Sequence, residues 1–231
     1  MNSVEDIRWK EAQEAESKWW AQGDFAYRHF SRKYWADILM RDGLDTDFWK
    51  DQNVVEIGCG PKGMIYYFPE AKHRIGVEPL AEFYKKQGLI SDDGVDLKAG
   101  MGESLDIKDG KMSRVIIFNV LDHAQDPLKC LEEALRVSAK GSILYLASNV
   151  FPKWLLTLTW LMEKLDHPHP HHFTKNDLLV LVEKSGWKIT EFGKSEVEPK
   201  YSFFESFKPL VIKKIIAHTV KSWFHIKAVK I

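Results

Sequence analysis

A chain of 231 residues has room for one α/β domain with a modest helical addition, and 45% hydrophobic with 29% charged residues describes a globular protein rather than a disordered one. The 33 basic residues balance 33 acidic ones, which removes the electrostatic reason to expect nucleic acid as the main partner. Only two cysteines occur, Cys59 inside a glycine turn, which argues against a disulfide framework and implies a reducing, cytoplasmic setting.

In chain order, the N-terminus is charged and amphipathic, with no apolar core of signal-peptide type. Apolar and aromatic positions spaced by three and four over residues 4–50 predict two or three helices, an N-terminal helical cap over 1–50 preceding a sheet domain over 51–231. Short apolar runs then alternate with helical stretches. Strands are predicted at Val54–Ile57, Arg74–Glu78, Asp96–Ala99, Arg114–Val120 and Ser142–Ala147, with helices at about 62–68, 80–88 and 126–138. Such alternation implies a parallel sheet covered on both faces, with ligands bound at the carboxyl ends of the strands beside the first one.

After the fifth strand the pattern changes. Residues 151–172 read as an insertion, an apolar helix followed by a stretch rich in histidine and proline. Its apolar run, Trp154 to Met162, is too short to span a bilayer. Thr174 is placed to N-cap a further helix with Asp177 in the capping-box region, and Gly186 to end it. Trp187–Phe192 and Trp223–Ile231 read as sixth and closing strands, for a sheet of seven. Residues 204–221 suit a basic amphipathic helix. Its lysines face solvent if it packs on the sheet; the competing use is peripheral contact with an anionic membrane.

The most informative stretch is Asn53 to Met64, NVVEIGCGPKGM. A glycine turn between a strand and a following helix lets a ligand approach main chain that a Cβ would cover, and dinucleotides and S-adenosylmethionine both exploit it. Glu56 precedes the turn, and Glu78 ends the next apolar run, 20 residues after Gly58. A carboxylate as close as Glu56 is poorly placed for a pyrophosphate, which disfavours a nicotinamide cofactor.

Four stretches together resemble the class I S-adenosylmethionine-dependent methyltransferases of the small-molecule type, which includes quinone-biosynthesis and sugar-modifying enzymes. They are Val55–Gly63, Gly76-Val77-Glu78-Pro79, Gly102-Glu103-Ser104-Leu105, and Asn119–Pro127 with Leu135-Arg136-Val137; the likeness runs from about Asn53 to Ile189. The resemblance implies an α/β, Rossmann-like doubly wound, mostly parallel seven-stranded sheet, with S-adenosylmethionine as cofactor and S-adenosylhomocysteine as product. Carried onto this chain, Gly58 and Gly60 lie against the methionine portion, Glu56 orients the ammonium directly or through the loop, and Glu78 with Pro79 faces the ribose. Asn119 belongs to the strand-four motif. Gly102 and Glu103 fall in the adenine loop, where Met101 stands in place of an expected acid and offers only packing.

Methyl transfer is an in-line displacement, so the protein's main tasks are alignment and exclusion of water, with a general base added for a hydroxyl acceptor. His123, His171 and His172 are the candidate bases; for His123 the competing reading is a structural histidine capping the next helix. No metal site is expected: among His167, His169, His171 and His172 the prolines enforce extended backbone, and no acidic ligand joins them. Trp19, Trp20, Phe25 and Tyr27 on one side and Trp154 and Trp160 on the other are candidates for an acceptor lid, with ordinary packing as the alternative. The expected partner is a small-molecule or glycan-like acceptor methylated at oxygen. The alternative is a catalytically silent cofactor-binding or scaffolding protein of the same fold.

Overall fold

The computed structural model describes residues 4–21, 30–90, 94–157, 169–195 and 222–231. Period-two alternation on the central strands sets the two faces of its sheet. On β1 (Asn53–Ile57), Val55 and Ile57 turn to one side and Val54 to the other; on β4 (Met112–Phe118), Val115 and Ile117 oppose Ile116; on β5 (Ser138–Val150), Leu144 and Leu146 oppose Tyr145 and Ala147. Both faces are apolar, as parallel strands covered on two sides require.

The seven strands follow the order β3 (Asp96–Ala99), β2 (His73–Glu78), β1, β4, β5, β7 (Ser222–Val229), β6 (Lys188–Ser195). The first five are parallel, and β7 runs antiparallel between β5 and β6. The chain winds outward from β1 through β2 to β3, then returns to place β4 on the other side of β1. That reversal opens a crevice at the carboxyl end of β1.

One face is covered by α4 (Pro127–Val137) and α6 (Lys175–Lys184). Asp126 caps α4 by accepting from the Lys129 N–H at 3.0 Å, and the predicted capping box of Thr174 and Asp177 starts α6. The other face is covered by α2 (Arg32–Arg41) and the segment after it, which bury Trp35, Ile38, Leu39, Phe48 and Trp49 against Val54, Ile116 and Tyr145. Trp49 is fully buried and stacks on Phe68 at 4.5 Å. An aromatic of this size contributes at most roughly 4–6 kcal/mol of transfer free energy. The Asp42 carboxylate just beyond α2 accepts from the Tyr145 hydroxyl at 2.6 Å and lies 3.3 Å from His225 Nδ1, which ties this layer to β5 and β7. Helix α1 (Val4–Ala21) docks through Trp20 onto Tyr84 of α3 (Ala81–Lys86).

The structure departs from the sequence reading in three places. The helix expected at 62–68 is a single 3₁₀ turn, Met64–Tyr66: Gly63 before it is extended, with ψ of 169°, and Pro69 restrains Phe68 after it. Strand β4 stops at Phe118 rather than Val120, since Asn119 takes a left-handed φ of 57° and leads the chain out over the crevice. Strand β5 starts at Ser138, four residues early, because α4 runs into it without a loop. In the 151–172 insertion only α5 (Lys153–Leu156) is a described helix. Phe25, Tyr27, Trp160, His167 and the basic segment at 204–221 lie outside the described residues. Among the described residues no helix is long and apolar enough to cross a membrane.

Candidate functional site

Two adjoining cavities occupy the crevice. The smaller, about 100 Å³, is lined by Glu78, Pro79, Met101, Gly102 and Glu103; the larger, about 470 Å³, is walled by Trp19, Trp20, Phe30, Tyr34, Trp35, Phe118 and Trp223. Gly58, Gly60, Asn119 and His123 line both, as does Glu16 of α1 from above.

The glycine turn contributes space more than donors. A Cβ on Gly58 would stand 2.3 Å from Val120, at a φ of 67°, whereas a Cβ on Gly60 would meet nothing nearer than Trp20 at 3.8 Å and would project into the cavity. The backbone amides expected to face a ligand are already engaged. The Gly58 N–H donates to the Val77 carbonyl at 2.7 Å and the Gly60 N–H to Glu78 Oε2 at 2.9 Å. The turn is held by the neighbouring strand and its terminal acid.

Glu56 is buried on the face opposite Val55 and braces the loop. Its two oxygens accept from the Met64 and Ile65 amides at 3.2 and 2.7 Å. Burial outweighs those bonds and pushes its carboxyl up to about 8. Glu78 accepts from Gly60 and, at 3.0 Å, from the Leu80 amide, and burial raises its carboxyl to about 7. Two acceptances leave about two of a carboxylate's roughly four lone-pair sites for a ligand. Glu103 turns to the loop after β4, where its Oε1 accepts from the Gln125 and Asp126 amides at 2.7 and 3.1 Å. Asn119 Oδ1 accepts from Asn149 Nδ2 at 2.7 Å, joining the ends of β4 and β5 at the cavity floor.

Of the three candidate bases, only His123 lines the cavities. His171 is a clasp: its Nε2 stands 2.9 Å from the Ala124 carbonyl and its main-chain N–H donates to the Asp122 carbonyl at 3.2 Å. The ring of His172 packs on Phe151 at 5.4 Å. That clasp brings in a residue the sequence reading places in a different set. His169 lines the larger cavity, its ring 4.5 Å from that of His123, with Nε2 3.8 Å from Oδ2 of the buried Asp122. Of the lid candidates, Trp19 and Trp20 wall the larger cavity, while Trp154 is 61% exposed and lines neither. Phe30, Tyr34, Trp35 and Trp223 do not stand out in the sequence, because nothing local distinguishes them from ordinary core aromatics.

Residues 27–191 match the model of a family described as a methyltransferase domain, which is most of the chain. The chain belongs to that family. Its sheet, with the antiparallel seventh strand, is the class I S-adenosylmethionine-dependent methyltransferase fold. A stretch of 109 residues, 44% of the chain, is 30% identical to ajmaline N-methyltransferase of Rauvolfia serpentina and spans 37% of the length of that relative. Among solved structures, the chain resembles one from the complex between the Haloferax volcanii Trm112 methyltransferase activator and a methyltransferase (TM-score 0.69, 16% identity, 98% and 99% of the two chains). It also resembles an S-adenosylmethionine-dependent methyltransferase from Thermotoga maritima (TM-score 0.58, 22%, 97% and 100%). A third is geranyl diphosphate methyltransferase in complex with geranyl diphosphate and sinefungin (TM-score 0.66, 16%, 86% and 78%).

Proposed function

We propose that this methyltransferase binds S-adenosylmethionine across the smaller cavity and the glycine turn, and transfers its methyl group to an oxygen of a small, ring-bearing or glycan-like acceptor in the larger one. The observation that carries the reading is the wall common to the two cavities, Gly58, Gly60, Asn119 and His123, where donor and acceptor would meet. The residues fit the cofactor. Gly60 leaves open the volume a Cβ would fill, and Glu78 has acceptor capacity for the two ribose hydroxyls. Met101 and Gly102 line the adenine end. Glu56 acts through the loop it braces, holding the Met64 and Ile65 amides in place behind the glycine turn.

The cofactor supplies a methyl group already activated by its sulfonium. The chain supplies alignment, a largely aromatic wall that excludes water, and at the junction of the two cavities the polar group of His123 with Asp122 and His169 beside it. Such a wall suits flat or partly apolar acceptors, and Trp19, half-exposed at its edge, lies where an acceptor would enter.

Calorimetry should show S-adenosylmethionine binding at micromolar Kd, and an acceptor library should yield S-adenosylhomocysteine with a product 14 mass units heavier. Mass spectrometry of that product identifies the methylated atom; a nitrogen product would remove the oxygen assignment. Cofactor binding with no turnover across the library would favour the catalytically silent reading.

A further inference from the structure

We propose that Asp122, His123 and His169 bind one divalent transition-metal ion at the junction of the two cavities, where it would hold the acceptor's oxygen. This rests on the acceptor lying in the larger cavity. One ligating atom from each of the three residues falls within 4.8 Å of the others. The donor set is two imidazoles and one carboxylate, a combination suited to zinc, iron, cobalt, nickel or manganese.

Distance decides between a metal and a hydrogen-bonded proton relay. His169 Nε2 and Asp122 Oδ2 are 3.8 Å apart, too far for a hydrogen bond. Two donors on one ion, each at about 2.1 Å from it, lie roughly 3.0–3.8 Å from one another. The remaining closure, from 4.8 Å, is within reach of side-chain torsions. Burial points the same way. Asp122 is only 4% exposed, and its Oδ1 makes no hydrogen bond among the described residues. A buried carboxylate so poorly satisfied calls for a cation.

The surrounding fold supports the cluster from both sides. Asp122 and His123 sit in the turn after β4, where the His123 N–H donates to the Val120 carbonyl at 2.8 Å. His169 arrives from the end of the insertion, 46 residues later, and the His171 clasp fastens that segment to Asp122 and Ala124. His171, expected to be a base, acquires a positioning role. Three protein ligands leave coordination positions open, and His123 and His169 face the larger cavity. An acceptor hydroxyl in an open position would ionise more readily: its O–H bond breaks, the electron pair stays on oxygen, and the proton passes to solvent.

The test uses untagged, chelator-dialysed full chain and Co²⁺, followed by calorimetry and by the visible absorbance of the bound ion. Expected is one Co²⁺ per chain with Kd of roughly 10 µM or tighter, weakened at least about tenfold in Asp122→Asn and in His169→Gln. Affinity for S-adenosylmethionine should stay within about twofold of wild type in both variants, which shows that they fold. Absence of stoichiometric Co²⁺ and Zn²⁺ binding by the wild type would overturn the proposal, as would binding that survives both substitutions. If a variant fails to fold, the wild-type Co²⁺ spectrum decides: imidazole-ligated absorbance supports the site, and the aquo-ion spectrum refutes it. Loss of cofactor binding in the wild type would instead refute the methyl-donor reading, and the metal measurement would stand separately.

Discussion

The two cavities are built by different means. The smaller is built mainly on strand ends and the turns that follow them, at Ile57–Gly60, Glu78–Pro79, Met101–Glu103 and Asn119–Ala124, with Trp9, Gln13 and Glu16 of α1 closing it. The larger shares the glycine turn but takes its aromatic wall from α1, residues 30–35, Phe118 and Trp223, segments separated in sequence and brought together by tertiary packing. Local backbone geometry can shape a site for an invariant ligand. A wall gathered from distant segments can change its side chains without disturbing the sheet, which suits a variable acceptor.

Substitutions at the shared glycines should separate the two regions most sharply. Gly58→Ala forces a Cβ into Val120 at a positive φ and should cost roughly 2–4 kcal/mol of folding stability, read as a fall in denaturation midpoint. Gly60→Ala meets only open cavity, so beyond the modest strain of a φ of 51° it should leave the fold standing while cofactor affinity drops. If the two variants lose stability equally, Gly60 is a packing glycine and not a ligand-facing one.

Next in size is Glu78→Ala, expected to weaken S-adenosylmethionine binding by about 100-fold, or ~2.7 kcal/mol, through loss of a charged acceptor and of the brace on Gly60. Wild-type affinity in this variant would remove the ribose assignment.

A pH series comes third. Glu56 and Glu78 are raised from 4.5 to about 8 and about 7 by burial, so the folded chain keeps protons that the unfolded chain has released. Their stabilisation is fully present below about pH 4.5 and is lost as pH climbs through 7 to 8, with a slope of up to about 1.4 kcal/mol per pH unit for each carboxyl. Chemical denaturation between pH 5 and 8.5 should show this fall, and Glu56→Gln should flatten it. A profile unchanged by that substitution would show Glu56 ionised throughout.

The smallest expected effect is at the edge of the larger cavity. Trp19→Ala should shift stability by less than about 0.5 kcal/mol, since half of its surface is in solvent, yet raise the KM for acceptor. Unchanged acceptor kinetics would leave Trp19 with only its edge contact to Trp20.

Much of the smaller cavity is legible in the sequence, because its signals lie within short stretches: an acid in β1, a glycine turn, an acid ending β2. Less legible is how those groups are used. Glu56 spends its oxygens on Met64 and Ile65, and Glu103 spends Oε1 on Gln125 and Asp126, partners fixed by where the loops fold back. The helix expected after the glycine turn is reduced to one 3₁₀ turn between two residues visible in the sequence, Gly63, which is extended, and Pro69, which stops continuation.

The sequence by itself determined the sheet, its two apolar faces, the capping box at Thr174 and the glycine turn after β1, because periodicity, capping and glycine geometry act over a few residues. Only the tertiary structure decided which histidines face the site. The return of the chain from the insertion turns His171 and His172 aside and sets His169 beside Asp122 and His123, a contact governed by long-range packing that local spacing does not encode.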